Sequence, residues 1–484
     1  MLGQRRTDVP PLSGHNHLKL LLVLSSALLL DCCRQPSDFA ALKKRTTPSG
    51  VKVLLIGIDG ATFKVIRPLL DEGRLPHIGA MVASGATGIL RSEDPMRSPA
   101  LWTTIATGQS RQAHGIIGFY SREAGGKRKG ALIGSSDRKT LALWNIASAF
   151  DLRVGVAGWW ATWPAEQVNG WMISDRITRE RWNEWAGGPK QDHAVYPEEL
   201  TRGLQRFIVD PASPPMETVE RILPLTATER SEFLSATKPV FGHWLSVFKF
   251  AFCSQLSNER MTFHLLSKAQ PYFAAVFLVA NDPVSHTFWH FYEPAAFPSA
   301  DTEKSSRLGR VVPNFYEHND AYLGEIRRLV GNDTVVMIVS DHGFEATGTL
   351  PADRPPAPHF FDGPEAEAAA MNGVVAVGQS GKHHRDGVLI VSGGPIRRGV
   401  EVNANIYDIA PTVLALLGLP VPEDMQGRVL TEIIEPGFLA ERPVTKISTY
   451  EGLIERRAER LDARGEAAAD KEKEELLRSL GYIQ

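Results

Sequence analysis

From residue 51 onward, short apolar runs alternate along the chain with longer amphipathic segments. The apolar runs are rich in Val, Ile and Leu without polar alternation, which is typical of central parallel strands covered by helices on both faces. These runs are residues 51–58, 153–159, 274–281, 334–340 and 387–392. The helices predicted between them are residues 64–84, 314–330 and 405–417. The pattern therefore predicts an α/β protein with a mostly parallel central sheet.

Three further segments do not follow this pattern. Residues 34–50 are polar and lack periodicity, which favours a linker. Residues 170–270 are rich in Trp, Pro and charge and give no clear strand order, so we interpret them as an insertion or cap. Residues 431–484 are predicted to form a charged tail, with an exposed helix from about residue 456.

Residues 1–33 have the layout of an export signal, because basic residues precede an apolar run at 20–30. As a helix this run would be about 16 Å long, which is too short for a hydrocarbon core of about 30 Å. Cys32 and Cys33 follow where a bacterial lipoprotein has its lipidated cysteine, although Asp31 stands where a small residue is expected. We expect a periplasmic or extracellular protein, with a membrane-anchored lipoprotein and a buried N-terminal helix as the alternatives.

Composition narrows the class of protein. The chain has 484 residues, of which 43% are hydrophobic, so it can bury a large core. Its formal net charge is -2, so no basic excess draws it to nucleic acid polymers, and phosphate chemistry would need local cations. Its 3 cysteines exclude both a disulfide scaffold and a thiolate zinc protein.

Acidic residues follow three of the predicted strands. Asp59 and Asp341 come directly after their strands, and Asp282 follows the run at 274–281. Because ligands bind at the carboxyl ends of strands in an open parallel sheet, we expect these carboxylates to share one edge. A single acid in this place is usually a turn or helix N-cap residue, but three acids, two of them with a histidine nearby, favour a metal site.

Histidines accompany these acids. His286 lies one helical turn after Asp282, and His342 follows Asp341 in a predicted loop. A third cluster precedes the last strand and contains His383 and His384. Imidazole and carboxylate without cysteine suit zinc, with manganese or iron as alternatives. The three acids, His286, His342 and one histidine of the 383/384 pair make six ligands, which are too many for one tetrahedral ion. Two ions about 4 Å apart are the usual arrangement for phosphoryl transfer.

The segment 98–108 is predicted to be a short helix with Ser98 at its start. Ser is a favoured N-cap, Pro99 a favoured first helical residue and Gly108 a favoured residue after the helix end. A helix N-terminus also presents free N–H groups and a positive dipole end to a phosphate. Ser98 is therefore either a cap or an activated nucleophile, and the two roles are compatible.

Taken together, these residues resemble the alkaline phosphatase superfamily, most closely its type I phosphodiesterase/nucleotide pyrophosphatase branch. The matching segments are IGIDG at 56–60, SPALWTTIATG at 98–108, QAHGI at 112–116, NDPVSH at 281–286, SDHGF at 340–344, GKHHRDG at 381–387 and the closing segment 405–430. The resemblance covers residues 51–430. It implies a three-layer α/β/α sandwich with a mostly parallel central sheet, and residues 170–270 as an inserted cap.

The resemblance also implies a role for each candidate residue. Asp59, Asp341 and His342 would hold one zinc ion together with Ser98, the covalent nucleophile. Asp282, His286 and His383 would hold the second zinc, which activates the water that hydrolyses the phosphoserine intermediate. His383 is preferred to His384 because the family histidine follows a Gly-x step and precedes an acid by three residues, here Asp386. His384 and Arg385 either contact substrate or are solvated in the loop.

Two departures from the family pattern concern the substrate. Ser98 stands where nucleotide pyrophosphatases use Thr, and Phe119 occupies by count the place of an Asn that contacts a phosphate oxygen. The expected function is hydrolysis of phosphodiester or pyrophosphate bonds in a small molecule by two metal ions. The alternatives are a phosphomonoesterase, a phosphotransferase acting on an envelope or lipid-linked acceptor, and a non-catalytic metal-binding protein. No nucleic acid polymer is expected as a partner.

An aromatic cluster follows one predicted strand. Trp159, Trp160 and Trp163 are expected either to pack in the core or to form an aromatic wall facing the substrate.

Overall fold

A ten-stranded sheet forms the centre of the computed structural model, which describes residues 36–121, 132–177, 193–237, 243–298, 300–348, 350 and 379–455. Strands β1 to β14 are, in chain order, Val53–Ile58, Gly85–Arg91, Val154–Ala157, Gly170–Ile173, Val195–Tyr196, Phe273–Leu278, Val335–Val339, Gly343–Ala346, Gly381–His384, Asp386–Ser392, Val400–Glu401, Ala404–Asn405, Val421–Pro422 and Lys446–Ile447. The order in the main sheet is β11-β2-β10-β7-β1-β6-β3-β4-β5, and β12 also pairs with β2.

The middle of this sheet is parallel. Strands β7, β1, β6, β3 and β4 pair in parallel, whereas β10 is antiparallel to both β7 and β2. The carboxyl ends of β1, β6 and β7 therefore meet at one edge, together with the carboxyl end of β2 and the amino end of β10. The predicted α/β architecture with a mostly parallel sheet is confirmed.

Helices pack on both faces of the sheet. Helices α1 to α15 of the described residues are, in chain order, Pro36–Arg45, Phe63–Asp71, Pro76–Ser84, Ser98–Thr107, Arg111–His114, Leu143–Ala149, Leu200–Leu204, Met216–Ile222, Ala227–Ser235, Trp244–Lys268, Asn281–Tyr292, Thr302–Leu308, Val311–Val330, Ile409–Leu417 and Pro436–Glu441. Alternate residues of β1 enter different apolar clusters, Leu54 and Ile56 on one face and Val53 and Leu55 on the other. This alternation produces three layers, as predicted.

The predicted helix at 64–84 is in fact two helices followed by a strand. Helix α2 ends at Asp71, and α3 begins at Pro76. Gly73 lies between them with φ +71, a conformation that glycine adopts at no steric cost and that interrupts the helix. Strand β2 then begins at Gly85 and was not predicted, because its glycines interrupt the apolar run.

The segment 34–50, predicted to be a linker, contains helix α1, and this helix packs on the core. Leu42 is buried, and the ring of Phe39 meets that of Phe150 edge-on at 5.2 Å between centroids. Beyond the helix, the Ser49 hydroxyl donates to the Leu416 carbonyl at 2.6 Å. The interpretation as a linker is therefore wrong for this helix. It contacts the core through the apolar side chains of Phe39 and Leu42, which are too few to give a periodic pattern in the sequence.

Part of the predicted cap at 170–270 belongs to the central sheet and core. Strands β4 and β5 extend the sheet, and α10 is buried along most of its 25 residues. A helix buried nearly all round shows no amphipathic stripe, which explains why the sequence pattern did not reveal it.

The predicted export signal at 1–33 and the helix from about 456 to 484 lie outside the described residues. Within the described residues, no helix combines the length and the apolar character needed to cross a membrane.

Candidate metal centre

The candidate ligands lie at the sheet edge where β1, β6 and β7 end. Asp59 and Asp341 lie in the loops after β1 and β7, and Asp282 lies in the first turn of α11, which follows β6. His383 comes from β9, which pairs with β8 and directly precedes β10. Parallel strands and one antiparallel neighbour thus deliver residues from distant parts of the sequence to one edge.

Six of these residues form two adjoining groups. One group is Asp59, Asp341 and His342, and the other is Asp282, His286 and His383. Within each group one ligand atom per residue lies within 4.8 Å of the others. The groups adjoin, since Nε2 of His342 lies 3.7 Å from Oδ1 of Asp282. The structure therefore brings together all six residues that the sequence singled out as ligands, in the predicted grouping.

Backbone carbonyls orient the three imidazoles. Nδ1 of His286 donates to the Gly381 carbonyl at 2.8 Å, and Nδ1 of His383 donates to the Met96 carbonyl at 3.1 Å. Nδ1 of His342 lies 3.1 Å from the carbonyl of Gly343. Because a carbonyl can only accept, each Nδ1 carries the proton and each Nε2 of a neutral ring presents a lone pair to the acids.

These lone pairs face one another and the carboxylates with no proton between them. Nε2 of His286 lies 2.9 Å from Nε2 of His383, a distance that two unprotonated nitrogens do not favour. Among the described residues, both carboxylate oxygens of Asp282 and Asp341 and Nε2 of His342 are buried without a hydrogen-bond partner. Buried polar atoms without partners are costly, and cations at the two groups would satisfy them. The donor set therefore fits two metal ions.

The charge balance of the cluster agrees with this fit. Burial raises the pKa of Asp341 well above its ordinary value, and the neighbouring carboxylate of Asp282 adds to the increase. Burial lowers the pKa of His342 well below its ordinary value. Against the effect of burial, His286 and His383 lower the pKa of the Asp282 carboxyl below its ordinary value. Without a cation the site thus opposes ionisation of Asp341 but not of Asp282, and a bound cation would favour the ionised form of both.

Ser98 lies beside the first group. It is fully buried, and its hydroxyl donates to Oδ1 of Asp59 at 3.4 Å. Arg97, with extended backbone angles, caps α4, and Ser98 is the first helical residue. The expectation that Ser98 caps the helix is therefore wrong by one position, and its hydroxyl is directed to a candidate ligand.

The helix start supplies fewer N–H donors than expected. Pro99 has none, and the N–H groups of Ala100 and Leu101 both donate to the Arg97 carbonyl. The positive end of the helix dipole remains close to Ser98, as the sequence predicted.

An apolar side chain that the sequence analysis did not single out lies beneath the imidazoles. The Phe344 ring is buried, with its centroid 4.8 Å from that of His286, 5.5 Å from that of His383 and 5.6 Å from that of His342. A Cβ at Gly60 would lie 2.3 Å from Phe344, so only glycine fits there. Phe344 lies within the SDHGF motif, but nothing in the sequence pattern indicates which rings it contacts.

Hydrogen bonds tie the ligand loops to each other. The Ala61 N–H donates to Oγ of Ser340 at 2.8 Å, and that hydroxyl donates to the His342 carbonyl at 2.7 Å. The amide of Asn281 donates to the Asp59 carbonyl at 3.2 Å. Ser340 and Asn281 are adjacent to predicted ligands in the sequence, which was the one available signal for their proximity.

The structure also places His384 and Arg385, whose roles the sequence left open between substrate contact and solvation. Strand alternation places His384 on the face of β9 opposite to His383, and its Nδ1 accepts from the Asp386 N–H at 3.2 Å. Arg385 is exposed and pairs with Asp94 in the loop that leads to Ser98.

Trp159, Trp160 and Trp163 are buried, as core packing requires. Phe119 is half-buried, and its ring meets that of Trp160 edge-on at 5.7 Å.

Comparison with known proteins gives three findings. The sequence matches the type I phosphodiesterase / nucleotide pyrophosphatase family over residues 53–355. The structure is similar to human ectonucleotide pyrophosphatase/phosphodiesterase 5, with TM-score 0.43, 11% identity and coverage of 79% of this chain and 98% of that chain. It is also similar to a phosphonate monoester hydrolase from Silicibacter pomeroyi, with TM-score 0.39, 14% identity and coverage of 78% and 76% respectively. A search of the curated proteins finds no match.

Proposed function

Since this chain belongs to the type I phosphodiesterase/nucleotide pyrophosphatase family of phosphoester hydrolases, we propose that it cleaves phosphodiester or pyrophosphate bonds with two bound zinc ions and a serine nucleophile. The observation that supports this proposal most directly is the pair of adjoining ligand groups with Ser98 beside one of them. Carboxylate and imidazole donors without thiolate favour zinc, with manganese or iron as alternatives.

The two groups divide the metal-holding role. Asp59, Asp341 and His342 would hold one ion together with Ser98, and Asp282, His286 and His383 would hold the other. When bound, the ions supply positive charge for the attacking and leaving oxygens and for the phosphoryl oxygens between them. The carbonyls that fix each Nδ1 would keep the three Nε2 lone pairs available to the ions.

Ser98 carries out the covalent step. Its Oγ gives its proton to Asp59, which accepts its hydrogen bond, and attacks phosphorus. The bond from phosphorus to the leaving oxygen breaks, and that oxygen departs with the bonding electron pair and takes up the proton. A water then attacks the phosphoserine, the bond from phosphorus to Oγ breaks, and the proton that the water loses passes to Oγ of Ser98. The positive end of the α4 dipole lies beside the charge that develops on the phosphoryl oxygens.

One observation favours a second candidate, a phosphomonoesterase or phosphotransferase. Phe119 packs on Trp160 at the position that, by count, holds a phosphate-contacting Asn in nucleotide pyrophosphatases. A phenyl ring offers no donor to the phosphate oxygen, so the preference for a diester is the part of the proposal that most needs a test.

The test compares hydrolysis of bis-p-nitrophenyl phosphate with that of p-nitrophenyl phosphate by zinc-reconstituted protein. We expect zinc-dependent turnover of the diester that falls by at least about 1,000-fold in Ser98→Ala, since the covalent route is lost. Ser92→Ala is the matched control, because Ser92 is a buried serine of the loop that leads to Ser98, with an unpartnered hydroxyl.

Two results would change the proposal. Preference for the monoester would replace the diesterase with the phosphomonoesterase. Failure to hydrolyse either ester with two equivalents of zinc bound would refute hydrolysis of simple esters and favour transfer to a specific acceptor.

A further inference from the structure

The two ligand groups have to be held at a fixed spacing, and no covalent segment fixes it. Asp59 comes from the loop after β1, whereas Asp282 lies in the first turn of α11, more than two hundred residues later. The parallel pairing of β1 with β6 ends at Ile58 and Leu278, and the Asp59 N–H still donates to the Leu278 carbonyl at 3.1 Å. Beyond this point other contacts have to orient the loop after β1 relative to the start of α11.

Asn281 and Tyr316 make that connection. Nδ2 of Asn281 donates to the Asp59 carbonyl at 3.2 Å and lies 3.4 Å from the hydroxyl of Tyr316. The same hydroxyl accepts the backbone N–H of Thr62 at 3.0 Å. Both side chains are buried, so these bonds are shielded from water. The loop at 59–62 and the first turn of α11 are thus joined at two points by side chains outside either ligand group.

Tyr316 also links the site to the scaffold. It belongs to α13, a helix of 20 residues with a long buried face. A rigid helix that supplies one hydroxyl to both connected elements fixes their separation more precisely than contact between two loops would.

We infer that Asn281 and Tyr316 are positioning residues that set the spacing between the two metal groups. The inference rests on the two-metal centre of the proposed function. They act through the backbone of Asp59 and through Asp282, the immediate neighbour of Asn281, and neither touches the substrate. Loss of the Tyr316 hydroxyl leaves the Thr62 N–H without its acceptor, and loss of the Asn281 amide leaves the Asp59 carbonyl without its donor. Either loss lets the groups separate. Residues outside the ligand set that orient ligands typically change metal affinity by about 10–100-fold.

The test loads the whole chain with Mn2+ as the only probe. We expect wild type to bind two Mn2+ and to show the exchange-coupled electron paramagnetic resonance spectrum of a close pair. In Tyr316→Phe and Asn281→Leu we expect the second Mn2+ to bind about 10–100-fold more weakly, with resolved hyperfine lines of isolated Mn2+ in place of the coupled signal. Tyr316→Phe removes one oxygen only, so the circular dichroism spectrum of the metal-free protein should match wild type, and its unfolding temperature should fall only by the cost of the unpaired Thr62 N–H.

Tyr322→Phe is the matched control, because Tyr322 is a second buried tyrosine of α13 whose hydroxyl lies near Glu259 and Thr262. Equal weakening in this control would overturn the inference, since loosening of the helix would then explain the effect. An unchanged second affinity and an unchanged coupled spectrum in both Tyr316→Phe and Asn281→Leu would overturn it as well.

Wild-type behaviour separates this inference from the proposed function. If wild type binds no Mn2+ pair, both the inference and the two-metal proposal fail. If wild type binds a coupled pair and the variants lose it, the inference stands even where neither phosphate ester is hydrolysed.

Discussion

The buried side chain of His114 is held uncharged at acidic pH, where a free histidine is protonated. His114 is fully buried, with Nδ1 accepting the Ile116 N–H at 3.1 Å and Nε2 lying 3.1 Å from the Thr104 hydroxyl. Burial, and then the charges of Arg138 and Arg111, lower the pKa of His114 to about 3. The folded protein therefore excludes a proton that the unfolded chain binds at about pH 6.5.

This difference predicts an acid-sensitive contribution to stability. As the pH falls from about 6.5 towards 3, the unfolded state takes up the proton first and the free energy of unfolding decreases, by about 2 kcal/mol at pH 5. We expect His114→Asn to remove this dependence in urea denaturation measured from pH 8 to pH 4.5. His77→Asn replaces an exposed histidine and is the control. A variant of His114 with the wild-type pH slope would contradict the argument.

The proximity of the candidate ligands was predictable from the sequence, whereas their surroundings were not. Asp59, Asp282 and Asp341 follow apolar strands, and strand direction alone predicts a common edge. Phe344 and Tyr316 gave no such signal, because their importance depends on which rings and loops the tertiary fold places beside them.

At the scale of elements, the strands buried on both faces were the most predictable. Strands β1, β6, β7 and β10 are continuous apolar runs, and each lies within two residues of its predicted bounds on at least one side. Strand β2 was missed because it contains Gly85 and Gly88, where neighbouring backbone leaves no room for a side chain. A Cβ at Gly85 would lie 1.9 Å from the carbonyl oxygen of Val391, and a Cβ at Gly88 would lie 1.6 Å from that of Val402. Glycine is required there by packing between elements, which local sequence does not report.

Helix α1 is attached through few side chains, so its docking can be tested at one residue. Leu42 is buried, and its truncation leaves a cavity under the helix. We expect Leu42→Ala to lower the free energy of unfolding by about 2–3 kcal/mol, the lower part of the range for buried leucines. Lys44→Ala, on the exposed side of the same helix, should change it by less than about 0.5 kcal/mol. Chemical denaturation measures the free energy of unfolding of the two variants. Equal values would show that α1 is not docked in solution.

At the scale of the whole molecule, the proposed metal binding predicts a gain in stability. The ligand groups join the loops after β1 and β7, helix α11 and strand β9, so a cation bound there crosslinks the sheet edge. We expect removal of zinc by a chelator to lower the unfolding temperature. Zinc at about 100 times its dissociation constant should add about 2.7 kcal/mol to the free energy of unfolding. Calorimetry with and without zinc measures the difference, and a midpoint that does not depend on zinc would contradict the assignment of the centre.

The order of the ligands along the chain also bears on when the centre can form. They run from Asp59 to His383, so most of the chain must be synthesised before the last ligand exists. Contacts between such distant residues form late and slowly during folding. Uptake of metal should therefore mark the end of folding, and a partly folded chain should have little affinity for the ions. The rate of metal uptake would then report the rate at which the complete sheet assembles.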